Sequence, residues 1–440
     1  MIRTPARLWA ENLSALDSRG SVTRELLSSE RKSLVQDLLD KVVRTIFHRN
    51  LRSSFLRPLL GRLYDVYSVR REPEVSGTKP FEPKVMSSKI RAEWTAAGLR
   101  NLAPRGAEEL GFRDFKDVLL SPNRRGGFIL SDGDLLLPAT DFPPPDRVYV
   151  PNQSVGGVVG QNSQTALLRT RRRPVEIENA IFCGSMAPHN WFHWIIDTLP
   201  TLLLARKLPR SYDDFPALIP DVILAKSAAL GALEVVLSGR AHVAVTPDDI
   251  VRISHLVRID GATRSFPRPL EPVAGPRLTY YAEALGEYRD TLLAEFGLEK
   301  LTPIPGNRIF LSRMDSEKRE YNHDEIEKAA EGMGFRKVYL EGMSLQDSIA
   351  VFREAEAIIG PHGAGWATML FCKRQTKTLL WKWPGEAGGN WFENLALVSG
   401  VHYLQIDLEL NSHERHRPSV QLNVEAFLAA LTQLGISARP

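Results

Sequence analysis

Between Arg308 and Ile406 the chain alternates short apolar runs with amphipathic stretches, and this alternation limits the possible folds more than any other feature of the sequence. Arg308–Ser312, Arg336–Tyr339, Ala357–Gly360, Thr378–Trp383 and His402–Ile406 read as strands. Asp324–Met333, Leu345–Glu354 and Trp391–Ser399 read as helices, and a further helix starts near Gly365. Strands joined through helices by short connections must cross over the sheet, so a parallel sheet with helices on both faces is expected.

The first half is less regular. Gly127–Leu130, Asp134–Leu137, Val148–Val150, Ile177–Phe182, Val222–Ala225 and Val251–Ile259 read as strands, and Asn190–Lys207 reads as a helix. After the turn-rich residues 261–276 an amphipathic helix is expected over Tyr280–Phe296, and a closing helix over Asn423–Leu434 that could pack back on the first domain. Residues 72–90 carry Pro73, Pro80 and Pro83 among few apolar residues and read as a linker. Before them, residues 21–67 look helical, with Leu34, Leu38, Val42 and Ile46 at helical spacing. Arg and Lys residues from Lys41 to Arg71 are interleaved there with Ile46, Phe47, Leu51, Phe55, Leu56 and Leu59, which suits a membrane-surface helix or an extension packing on the body or on a second subunit.

A hydrophobic share of 43% against 25% charged residues excludes bulk disorder and allows two domains plus an extension. The net charge of +4 is too small to select a class of partner. Cys183 and Cys372 cannot form a disulfide framework and have no Cys-x-x-Cys pattern, so a reducing compartment and no structural zinc are expected. The N-terminus lacks the apolar core of a signal peptide and no run approaches eighteen apolar residues, so neither secretion nor a spanning helix is expected. No HExxH, P-loop, Gly-x-Ser-x-Gly or basic-aromatic nucleic-acid platform occurs.

The chemistry concentrates in two places. Ala357-Ile-Ile-Gly-Pro-His-Gly-Ala-Gly-Trp-Ala-Thr-Met-Leu-Phe371 is a strand, a glycine-rich turn and a helix. A helix N-terminus at the carboxyl end of a parallel strand offers N–H groups and a positive dipole end to phosphate, and Gly363 and Gly365 would let the backbone approach a ligand; a plain tight turn is the other reading. The second place is Asn190-Trp-Phe-His-Trp-Ile-Ile-Asp-Thr-Leu-Pro200, where His193 and Asp197 share one helix face as site residues or as a buried structural pair. Asp132-Gly-Asp134 formally fits a metal-binding Asp-x-Asp, but its apolar flanks read as a hairpin turn. A nicotinamide dehydrogenase would need a Gly-x-Gly-x-x-Gly after an early strand.

Taken with Arg308-Ile-Phe-Leu-Ser-Arg313, Arg319 and Asn322, Gly334-Phe335 and Glu341, the Gly360-Pro-His-Gly-Ala-Gly365 turn resembles the donor half of glycosyltransferase family 61. The His193–Asp197 helix is similar to that family's His-x-x-x-Asp-x-Leu-Pro segment. The resemblance implies an α/β fold of two Rossmann-like domains facing across a cleft (GT-B type), here with an N-terminal helical extension. Its divisions are expected as residues 1–75 (basic helical extension), 76–285 (acceptor and catalytic base), 286–410 (nucleotide sugar) and 411–440 (a helix packing back on the body). It also implies inverting transfer from a nucleotide sugar with no bound metal and no cofactor. Asp197 is the expected base, with His193 second. Arg313, Arg319 and the N–H groups of Gly363, Ala364 and Gly365 would offset the leaving diphosphate. Glu341 is expected at the ribose or base, and His362 at a phosphate or in shaping the turn; Arg308, Ser312 and Asn322 complete the expected donor set.

The chain departs from the family pattern at Trp366-Ala-Thr368, His323 and Ser348, and Trp366 is expected to reshape the sugar or base pocket. The resemblance points to the bacterial branch, hence to a capsular or other surface polysaccharide, a glycan or lipid-linked acceptor, and a cytoplasmic place at the inner face of the membrane with peripheral contact through residues 41–71. No nucleic acid partner is expected. A non-catalytic glycan- or nucleotide-binding protein of the same fold is the alternative.

Overall fold

The five strands expected in the second half form one sheet in the computed structural model, which describes residues 65–71, 78–95, 98–122, 128–132, 134–137, 158–161, 165–168, 174–184, 189–246, 249–265, 278–313, 321–383, 391–410 and 420–438. To number only the elements that position the site, β1 is Val175–Phe182, β2 Ala217–Pro220, β3 His242–Val245 and β4 Val251–Ile259. In the second half β5 is Arg308–Ser312, β6 Phe335–Tyr339, β7 Ala357–Pro361, β8 Lys377–Lys382 and β9 His402–Asp407. The helices are α1 Ser227–Leu237, α2 Ala282–Glu295, α3 His323–Gly332, α4 Leu345–Glu354, α5 Trp391–Ser399 and α6 Val424–Gln433.

Strands β5 to β9 are all parallel and lie in the order β6-β5-β7-β8-β9. Side chains alternate between two cores, as the strand period requires. Ile309, Leu311, Ile358 and Leu380 face one, while Phe310, Ile359, Leu379 and Trp381 face the other, which α3 and α6 cover with Ile326, Ala330, Phe427 and Leu431. The closing helix thus packs on the five-stranded sheet beside α3 and not on the first half, because its apolar residues meet the face that α4 and α5 leave open. Strand β7 sits so close to β5 that a Cβ on Gly360 would lie 2.8 Å from the Leu311 Cβ and 2.9 Å from its carbonyl oxygen.

The first-half sheet has thirteen strands among the described residues. One part of it, β3-β2-β1-β4, is parallel, and β4 then pairs antiparallel with the long strand Gly98–Ser121. Four expectations fail here. Residues 78–95 are strand, not linker: Thr78–Thr95 pairs with Gly98–Ser121, and Pro80 and Pro83 fall at a register shift between Pro80 and Val85, where missing N–H donors are tolerated. Val222–Ala225 is not a strand. The strand ends at Pro220, and Asp221–Leu224 turns as a short helix with Asp221 in its first turn. Tyr280 and Tyr281 belong to the strand Leu278–Tyr281, and α2 starts only at Ala282. Asp132 lies in the turn of an antiparallel pair, Phe128–Ser131 with Asp134–Leu137, at φ 51°, as the hairpin reading requires. Asp65–Arg71 is a strand, so no helix reaches residue 67; the rest of the expected 21–67 helix and Val148–Val150 lie outside the described residues.

Residues 65–440 make one unit whose main core is a helical layer between the two sheets. Ile181, Ala217, Ile219 and Val257 enter it from the first sheet, and Ile309, Leu311, Ile358 and Leu380 from the second. Between them pack residues 191–207, α1, α2, α4, α5 and the 3-10 helix Ala364–Phe371. Among the described residues no helix is long and apolar enough to cross a membrane.

Candidate active site

In chain order the five-stranded sheet reads 2-1-3-4-5, so the connections reverse direction between β5 and β7. Open parallel sheets hold their ligands in that crevice, at the carboxyl ends of the strands. Arg313 leaves β5 there and His362-Gly363 leaves β7. The Arg313 guanidinium donates to the His362 carbonyl at 2.7 Å, and a Cβ on Gly363 would stand 2.0 Å from the Arg313 Nη2. Glycine at 363 is therefore what lets Arg313 lie across the turn. The Trp366 N–H makes the first helical bond, to the Gly363 carbonyl at 3.2 Å, so the N–H groups of Gly363, Ala364 and Gly365 precede the hydrogen-bonded part of the helix. Trp366 is buried, and its indole N–H donates to the Pro361 carbonyl at 3.0 Å. Its indole thus ties the start of the helix back to the end of β7.

Across from the turn, residues 191–207 begin with Asn190, whose side chain accepts from the Phe192 N–H at 2.9 Å. Pro200 has no N–H to give and its ring crowds the carbonyl four residues back. The chain widens ahead of it into a π-helical turn, Trp194–Thr198, which carries Asp197. His193 Nδ1 and Asp197 Oδ2 are 2.6 Å apart, and both residues are about nineteen-twentieths buried, at 4% and 5% exposure. The other Asp197 oxygen accepts from the Thr263 hydroxyl at 2.6 Å. With Nδ1 held by a carboxylate, the ring keeps its proton on that side and leaves Nε2 as the basic nitrogen.

The first turn of α5 joins the two places. Trp391 packs its ring edge to face with His193 at 4.5 Å, and Phe392 does the same with His362 at 4.9 Å; Phe192 touches both aromatic residues. Tyr280 is wholly buried and its hydroxyl donates to the Trp391 carbonyl at 3.1 Å. Burial, then the carboxylates of Asp197 and Glu393, hold its phenol well above the usual range, so it stays a donor. Glu393 is itself buried at 6% exposure, and burial raises its carboxyl against the opposing pull of its own N–H and of Lys382.

Residues 191–379 match the family model Glycosyltransferase 61. That span contains the His193–Asp197 helix and the Gly360–Gly365 turn, and the match supports glycosyltransferase activity. No curated protein was found to match the chain.

The residues that resemble the glycosyltransferase 61 donor pattern do not all gather at the turn. Arg308 lies at the amino end of β5, where its guanidinium donates to the carbonyls of Met333 (2.7 Å) and Ser437 (2.6 Å). Asn322 exchanges hydrogen bonds with the Leu422 backbone, accepting at 2.8 Å and donating at 3.0 Å, and so ties the start of α3 to the segment before α6. Ser312 is buried at the carboxyl end of β5, with its Oγ 3.5 Å from His323 Nε2. Glu341 is exposed in the turn after β6, on the carboxyl edge. Arg319 lies outside the described residues. Among the described residues, His323, Asp324 and Glu327 bring possible metal-ligand atoms within 4.8 Å of one another. Tyr321 already bonds His323 Nδ1 at 2.8 Å and Lys337 pairs with Glu327, so this group reads as a hydrogen-bond network.

Three contributors escaped the sequence reading. Thr263 lies in turn-rich sequence, Tyr280 was assigned to a helix, and Glu393 looked like the ordinary acid of a helix first turn. Only the acid at a helix start carried a signal, and it pointed to the helix dipole and not to a site.

Proposed function

We propose that this protein is an inverting glycosyltransferase that moves a sugar from a nucleotide-sugar donor to a glycan or lipid-linked acceptor. The donor diphosphate lies at the Gly363–Gly365 N–H groups and Arg313. His193 Nε2 takes the proton of the acceptor hydroxyl as its oxygen attacks the anomeric carbon. The bond from that carbon to the diphosphate breaks, and its electron pair leaves on the phosphate oxygen. Asp197 holds and orients the imidazole through Nδ1, which makes it a positioning residue, the reverse of the order that the family resemblance implies. Arg313, with Arg319, and the turn's N–H groups offset the leaving charge in place of a divalent ion. Two Rossmann-like halves in the GT-B manner, residues 76–285 and 286–410, would supply acceptor and donor, with Glu341 at the ribose or base. Surface polysaccharide assembly at the inner face of the cytoplasmic membrane, with residues 41–71 touching the membrane surface, is the setting that fits this acceptor class.

The observation that carries the reading is that α5 packs against both centres at once, Trp391 on His193 and Phe392 on His362. Incubation with a panel of nucleotide sugars and glycan acceptors, with free nucleotide diphosphate as the readout, tests it. Release by the native chain is expected. Donor binding with no release under any pairing would leave a nucleotide-binding protein of the same fold.

A further inference from the structure

A cationic cavity lies at the amino edge of the five-stranded sheet, the edge opposite the glycine turn. It has a volume of about 540 Å³, within the roughly 300–1,000 Å³ of small-molecule sites, and its charged lining is Arg289, Arg353, Lys373, Arg374, Asp290 and Glu299. Arg289 and Asp290 neutralise each other through a 2.8 Å contact. The remaining cations are not so matched. Arg353 is a buried residue, at 5% exposure, with no carboxylate at ion-pair distance among the described residues, and its Nε finds no acceptor. Its Nη2 donates to the Glu299 carbonyl at 2.9 Å, and the Lys373 ammonium donates to that same oxygen at 3.3 Å. Two cations thus converge on one neutral acceptor beside a third, Arg374. Like charges so placed repel, and a buried guanidinium without an anion is costly, unless an anion completes the set. Burial and then Arg289 depress Arg353 against the opposing pull of Cys372 and Asp290, and burial and then Arg353 depress Lys373.

We propose that this cavity binds a phosphate group, as free phosphate or a soluble phosphomonoester or as a lipid headgroup. Guanidinium forks match phosphate oxygens, and the volume leaves room for a substituent beyond the phosphate itself. The site is separate from the donor turn and does not depend on the transferase reading.

The test is the thermal shift of the full chain in inorganic phosphate against potassium chloride of equal ionic strength. Native protein, Arg313→Ala and a Lys373→Gln/Arg374→Gln double variant are compared. Arg313→Ala, which removes the donor turn's own phosphate contact, should keep a response, and the double variant should need about tenfold more phosphate while melting normally without it. Equal response in native protein and the double variant, loss of the response in Arg313→Ala, or no effect beyond chloride would overturn the proposal. Sedimentation with phosphatidate vesicles, against phosphatidylcholine alone, assigns the source. Vesicle binding lost in the double variant identifies a lipid headgroup, and a phosphate response without vesicle binding identifies a soluble phosphate.

Discussion

The glycine turn after β7 and the π-helical turn across from it offer opposite kinds of chemistry. The glycine turn presents backbone N–H groups and a half-buried guanidinium bonded to the His362 carbonyl, all of them donors. The π-helical turn supplies the sealed carboxylate of Asp197, which fastens one nitrogen of the His193 imidazole just before it. The first can hold a diphosphate without choosing among sugars, while the second can accept only a proton. On the proposed function, binding and proton transfer are therefore separable, so substitutions on the two sides should fail in different ways.

The largest effect belongs to the imidazole. His193→Gln should lower turnover by about a thousandfold while donor affinity stays near native, because it removes the base and none of the phosphate donors. Turnover and donor binding, measured on the same preparation, check this. A rate within about tenfold of native, with Asp197→Asn inactive, would instead return the proton to Asp197.

The next separates backbone from side chain within the turn. Gly360→Ala places its Cβ against Leu311 backbone and Cβ atoms that cannot move, and should cost about 1–3 kcal/mol of stability in denaturant unfolding. Gly363→Ala meets the guanidinium end of Arg313 and not backbone. Its melting temperature should hold while donor affinity falls by roughly tenfold, as the displaced guanidinium gives up its charge-assisted contact.

The smallest effect concerns Glu393. Burial raises its carboxyl above the ordinary 4.5, so the folded protein keeps that proton to higher pH than the unfolded chain does. Its contribution is therefore fully present below the ordinary value and is lost as pH rises through the folded value. Glu393→Gln should melt like the native chain in acid and above it at neutral pH. A melting difference that does not vary with pH would remove the charge penalty from the account.

The same contrast explains what the sequence made legible. Strands β5 to β9 were readable because both faces of a parallel sheet are buried, and each strand appears as a short apolar run set off by an amphipathic helix. The first sheet was not readable in that way. Its strand Gly98–Ser121 holds Gly98, Pro104, Gly106 and many charged residues, and β4 finds its partner β1 only by a long excursion through the chain. His193 and Asp197 could be found from their spacing; the order of action proposed for them rests instead on Thr263 and on which imidazole nitrogen the carboxylate holds. Arg308 and Asn322 matched a pattern, yet they tie down α3, the chain terminus and the segment before α6. A pattern match does not distinguish a residue that holds the scaffold from one that meets the ligand.

The central claim is that the Gly363–Gly365 turn and Arg313 hold a nucleoside diphosphate without a divalent ion. Calorimetric titration of the native chain with uridine and guanosine diphosphates in the presence of a chelator tests it most directly. Binding of at least one nucleotide, weakened about tenfold or more by Arg313→Ala and unchanged by His193→Gln, is the predicted result. Binding that needs added metal, or that survives Arg313→Ala untouched, would contradict it.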